Sequence, residues 1–116
     1  YILCAASNGP YDQQVHRLEI ADMKKYFDYI FVSEKLGASK PSPMFFDRAF
    51  EEMNRGRKEI ILPKECMVFG DSVTSDIEGG LRYGMKTCLY RRNKKMSVPE
   101  NVIVVDTLRE FVDMKK

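Results

Sequence analysis

The chain has 116 residues, a formal net charge of +2, and charged and apolar fractions of 31% and 44%. That length suits one domain and is short for two, the balance is that of a folded chain, and the charge points to no particular partner. No apolar run approaches a membrane span, nothing resembles a charged-then-apolar leader, and no basic stretch carries the interleaved aromatics expected for nucleic acid.

The apolar run from Tyr1 to Ala6 predicts a buried strand, ended by the turn signal Ser7-Asn8-Gly9-Pro10. It begins with no initiator Met, which reads as the C-terminal portion of something longer. A helix is expected over about residues 11–23, with Val15, Leu18 and Ala21 at helical spacing and His16 beside that stripe on the surface. A second strand is expected over 29–33, then a loop over 34–43 containing Gly37 and Lys40-Pro41-Ser42-Pro43. Phe46, Ala49, Phe50 and Met53 repeat at i, i+3, i+4 and i+7, the packing stripe of a helix.

After a polar break at 54–58, strands are expected at 66–70, 86–90 and 102–105. The helix before the second of these should stop at Gly84, and Thr107-x-x-Glu110 has the form of a capping box opening a terminal helix. The basic run Arg91-Arg92-Asn93-Lys94-Lys95 reads as a solvated loop with a minor part in attracting anions. Cys4, Cys66 and Cys88 lie in strand-like runs without metal-ligand spacing, so buried free thiols are expected, in keeping with a reducing cytoplasm. Near-continuous apolar strands alternating with helices predict an α/β fold, a three-layer parallel sheet with helices on both faces.

One stretch carries more chemistry than the rest. Met67-Val68-Phe69 runs into Gly70-Asp71, and Asp76 follows five residues later at the start of a helical pattern. Two carboxylates at the C-terminal end of a strand suit a hard cation such as Mg²⁺. The same spacing also suits a turn residue followed by an acid favoured at a helix N-terminus. In a parallel sheet the Ser7-Asn8 turn would share an edge with Asp71. Ser7 offers a hydroxyl, the Asn8-Gly9 turn offers backbone N–H groups, and Lys40 offers an ammonium, together an anion site.

In this order the segments resemble the haloacid dehalogenase-like phosphohydrolases over nearly the whole chain. Leu3-Cys4-Ala5-Ala6-Ser7-Asn8-Gly9 looks like the family's second motif, Ser33-Glu34-x-x-Gly37-x-x-Lys40-Pro41 its third, and Gly70-Asp71-Ser72-x-x-x-Asp76 its fourth. Tyr26-Phe27-Asp28 leading into Ser33-Glu34 is similar to the branch of small-metabolite phosphatases and nucleotidases. The resemblance implies a Rossmann-like core and an aspartyl-phosphate formed on an Asp nucleophile, with a second Asp as acid and base. It gives Lys40 a catalytic role, phosphate binding to Ser7, Asn8 and Lys40, and Mg²⁺ to Asp71 and Asp76.

No two acids of this chain are spaced Asp-x-Asp, the form of the family's first motif. In the family that motif ends a central strand lying between those that correspond to 1–6 and 66–70, and the substrate-selecting cap follows it. The expectation is therefore the C-terminal part of a phosphatase core lacking its first strand, nucleophile and cap, acting on a small phosphorylated metabolite. Alone it would be inactive, completed by an N-terminal segment or self-associating through unpaired strand edges. Alternatives are a non-catalytic binding or regulatory module on the same fold, and a dehalogenase or phosphonatase-type hydrolase.

Overall fold

Every strand pairing in the computed structural model, which describes residues 2–91, 95, 97–98, 100 and 102–115, is parallel. The chain divides into two units, Tyr1–Ile60 and Ile61–Lys116.

In the first unit, β1 (Cys4–Ser7) pairs with β2 (Tyr29–Val32), Cys4 opposite Tyr29 and Ser7 opposite Val32. Between them runs α1 (Tyr11–Ile20), three residues shorter than the periodicity predicts. Asp22 stops it by taking a left-handed φ of 55°, which lets Met23 N–H return to Leu18 C=O at 2.8 Å. A short polar side chain is among the few that tolerate that conformation. His16 is exposed, as expected. The expected loop after β2 starts instead as a one-turn helix, α2 (Ser33–Leu36), ended by Gly37 at φ 73°. Ser42 then caps α3 (Pro43–Asn54), accepting from Met44 N–H, with Pro43 in its first turn. The predicted stripe of Phe46, Ala49, Phe50 and Met53 is buried, and Phe45 joins it at 1% exposure. Phe45 and Phe46 meet edge to face with ring centroids 5.5 Å apart. With Val15, Phe31 and Val32 they form this unit's core.

In the second unit, β4 (Lys86–Tyr90) lies between β3 (Met67–Gly70) and β5 (Ile103–Val105). A π-type turn, Val73–Glu78, leads into α4 (Gly79–Tyr83), which ends at Gly84 with φ 91°, as the sequence predicts. A β-carbon on Gly80 would sit 2.9 Å from Val68 Cγ2, so glycine is what lets this helix lie close on the strands. Ile77, Cys88, Leu89 and Val105 form the core. The terminal helix α5 (Leu108–Lys115) opens on Thr107, whose Oγ1 accepts Glu110 N–H at 3.2 Å, and Phe111 packs on Phe69 at 4.3 Å between centroids. Glu110 reaches back to Asp106 N–H rather than to that of Thr107.

Arg91, the first residue of the basic run, is not a free cation. It grips Asp106 through Nε–Oδ1 at 2.8 Å and Nη2–Oδ2 at 3.0 Å, and that hydrogen bond raises its already high pKa. Lys95 is exposed, and Arg92, Asn93 and Lys94 lie outside the described residues, as does Tyr1 at the head of the first predicted strand. None of the three cysteines forms a disulfide; Cys88 is buried as expected, whereas Cys4 and Cys66 are half-buried. No described helix is long and apolar enough to cross a membrane.

Candidate active site

The parallel register sets Ser7 beside Val32, so the segments leaving β1 and β2 emerge next to each other. They are stitched together by residues that the sequence gives no local reason to pair. Gly9 N–H donates to Ser33 Oγ at 2.7 Å, Glu34 N–H to Gly9 C=O at 3.3 Å, and Tyr11 N–H to Glu34 Oε1 at 3.1 Å. The Glu34 carboxylate thus caps α1, at the helix end where negative charge is favoured. This corrects one expectation about the anion site. The Gly9 N–H is engaged by Ser33, Pro10 has none, and the Tyr11 N–H is engaged by Glu34.

Lys40 belongs to the same cluster. Its Nζ donates to Ala6 C=O at 2.8 Å, which brings the ammonium to the C-terminal end of β1. Its main chain is bound to Asn8: Lys40 N–H donates to Asn8 Oδ1 at 2.8 Å, and Asn8 Nδ2 donates to Lys40 C=O at 3.1 Å. The Lys40–Pro41 peptide is cis. Ser7 and Lys40 are half-buried, and Asn8 is exposed. Three residues singled out from the sequence are therefore gathered here. Ser33 and Glu34, which sequence reasoning left without a role, hold the segment they stand on. Their positions 24 and 23 residues from Gly9 and Tyr11 leave no local signal of that contact.

In the second unit, Asp71 follows β3 directly and is exposed, while Asp76 is buried at 8% exposure. Asp76 Oδ2 accepts Ser72 N–H at 3.4 Å and lies against the α-carbon of Gly70, so its carboxylate is held beside the backbone on both sides of Asp71. The sequence places Asp76 on the first turn of a helix. It sits in the π-type turn, whose cap is Ser72 Oγ accepting Ser75 N–H at 3.1 Å. Both Asp76 N–H and Ile77 N–H reach Ser72 C=O, at 3.2 and 3.1 Å, and that widened turn carries the carboxylate back toward the strand end.

Among the described residues no cluster of three or more His, Cys, Asp or Glu side chains could enclose a metal. Two carboxylates at a strand end form an all-oxygen, partial donor set. That fits Mg²⁺, which is commonly bound through one or two carboxylates and keeps several waters. It does not fit a metal that needs sulfur or imidazole.

A profile of the HAD-hydrolase-like family matches residues 37–111. The chain is 35% identical over 98 residues to the protein YfnB of Bacillus subtilis, covering 84% of this chain and 40% of YfnB. It is 35% identical over 110 residues to the pyrimidine 5′-nucleotidase YjjG of Escherichia coli, covering 95% and 46%. The crystal structure of Bacillus subtilis YfnB bound to magnesium matches with a TM-score of 0.84 and 31% identity, over 98% of this chain and 49% of that one. The chain thus spans less than half the length of these relatives, and its parallel strands and helices make a partial Rossmann-like α/β fold.

Proposed function

The chain belongs to the HAD-hydrolase-like family, and from that membership we propose that it is the C-terminal part of a Mg²⁺-dependent phosphatase core acting on a small phosphomonoester. The observation that carries the reading is the Lys40 ammonium, brought to the end of β1 in the same unit as Ser7 and Asn8. A cation, a hydroxyl and the Asn8 amide at one strand end suit a phosphoryl group, because its transfer is catalysed mainly by positioning and electrostatic stabilisation.

In this reading Ser7 Oγ–H and the Asn8 backbone hydrogen-bond phosphoryl oxygens, and the Lys40 ammonium neutralises charge that grows as the phosphoryl group leaves its alcohol. Asp71 and Asp76 are the residues of this chain that would hold Mg²⁺, whose chemistry is to polarise the phosphoryl oxygens. The nucleophile is an Asp on a strand outside this sequence. Its carboxylate oxygen would bond to phosphorus as the ester oxygen departs, and water would then free the aspartate and phosphate. The identified nucleotidase makes pyrimidine nucleoside 5′-monophosphates the first substrates to try.

The test is hydrolysis of those nucleotides and of an aryl phosphate with Mg²⁺, by the chain joined to, or mixed with, a segment carrying a strand that ends in Asp-x-Asp. Turnover abolished by Lys40→Ala is the expected result. No turnover in either form, or undiminished turnover after Lys40→Ala, would overturn the assignment.

A further inference from the structure

The contact between Asn8 and Lys40 has a specific form. One carboxamide accepts from the N–H and donates to the C=O of a single residue, at 2.8 and 3.1 Å. That is the exchange by which two directly opposed residues of an antiparallel strand pair bind each other, both bonds requiring the N–H and C=O to face the same way. The Asn8 side chain therefore does for Lys40 what a strand ladder would do, at a point beyond the ends of β1 and β2. The far end of the Lys40 side chain is fixed as well, through Nζ to Ala6 C=O at 2.8 Å. Ala6 and Asn8 flank Ser7, so Lys40 is anchored on both sides of that hydroxyl.

We propose that Asn8 is a positioning residue: its carboxamide orients the main chain of Lys40 so that the ammonium is held beside Ser7. The proposal rests on the functional reading above only for what Lys40 is positioned to meet. Its physical basis is entropy. A lysine side chain carries about 2 kcal/mol of rotamer freedom, and an ammonium that must also search backbone conformations is worth less to any anion it binds. Alanine at residue 8 removes both bonds. Aspartate keeps the acceptor for Lys40 N–H and removes the donor to Lys40 C=O.

The experiment is NMR of the chain with ¹³C-labelled lysine, the Lys40 signals being identified by their loss in Lys40→Ala. In the unaltered chain the two Lys40 Hε protons should differ in shift, as those of an immobilised ammonium do, and the Lys40 amide should exchange slowly. Asn8→Ala should merge the Hε shifts and speed exchange of the Lys40 amide about tenfold, the equivalent of one well-made hydrogen bond. The amide signals of β2 and α3 should stay in place. Asn8→Asp should keep the Lys40 amide protected while the Hε shifts draw together, and it supplies the readout where Asn8→Ala does not fold. Distinct Hε shifts and unchanged amide exchange in either variant would overturn the proposal. Titration with inorganic phosphate separates this from the functional reading. If phosphate leaves the Lys40 signals of the unaltered chain unmoved, that reading loses its support, while the clasp stands or falls on the phosphate-free spectra.

Discussion

Asp76 lies against the α-carbon of Gly70. A β-carbon on residue 70 would come within 2.6 Å of Asp76 Cγ and 2.9 Å of its Cβ, closer than such atoms approach. The last residue of β3 is thus a glycine because the buried carboxylate occupies the space a side chain would take. Gly70→Ala should push the carboxylate out or shift the strand end, at the roughly 1–3 kcal/mol typical of overpacking. Thermal unfolding should show a lowered midpoint, and calorimetric titration with Mg²⁺ should show weakened binding. An unchanged midpoint would mean that the turn at 73–78 yields without cost.

The two acids should separate by what their removal does. Asp71 is exposed, so Asp71→Asn should alter stability by no more than about 0.5 kcal/mol. It should abolish Mg²⁺-dependent turnover in the completed enzyme by removing a negative oxygen ligand. Asp76 is 8% exposed and packed on Gly70, so Asp76→Ala should lower the unfolding midpoint as well as Mg²⁺ affinity. Denaturant melts run beside Mg²⁺ titrations check both; equal stability losses in the two variants would contradict the difference in burial.

The positions of β2 to β5 and the α3 stripe were legible because each repeats a local pattern over several residues, and the Gly84 stop because glycine takes the left-handed conformation. The first strand was not, running over Cys4–Ser7 instead of 1–6, with Ile2 and Leu3 exposed before it. The α2 turn at Ser33–Leu36 was not, since four residues are too few to show helical periodicity. The end of α1 was missed because Asp22 rather than a glycine adopts the left-handed conformation. Ser7, Lys40, Asp71 and Asp76 stood out in the sequence by residue type, but the bonds that set Lys40 on Ala6 and Asn8 join residues 32 to 34 apart. Such contacts are decided by the register of β1 on β2, which no local signal encodes.

Cys66 gives a pH-dependent prediction. Burial, and secondarily the negative charge of Glu65, raise its thiol pKa above the ordinary value of 9.0. Folding therefore favours the protonated thiol. The stability it contributes is fully present below that ordinary value and falls as the pH rises through the folded one. Alkylation by iodoacetamide, which needs the thiolate, should reach half its maximal rate at a higher pH for Cys66 than for the same residue in the denatured chain. Mass spectrometry of quenched reactions reads this residue by residue, and coincident midpoints would show that burial does not protect the thiol.

The last prediction concerns strand edges. Among the described residues β1 pairs as a strand only with β2, and β3 only with β4, so each is an edge strand of its sheet. Near the start of β1, Ile2 and Leu3 are 41% and 48% exposed. Open edges with apolar flanks template pairing with another chain, and a lysine placed on the edge opposes it. The isolated chain should therefore self-associate, its weight-average mass in sedimentation equilibrium rising with concentration. Ala6→Lys, at an exposed position of β1, should lower that tendency without unfolding the unit. A segment that adds a parallel strand ending in Asp-x-Asp should suppress association and, with Mg²⁺, bring phosphomonoester hydrolysis with it. A chain that stays monomeric at all concentrations would show that these edges are already protected. Hydrolysis by the chain alone, lost on Asp71→Asn, would place the nucleophile among its own residues.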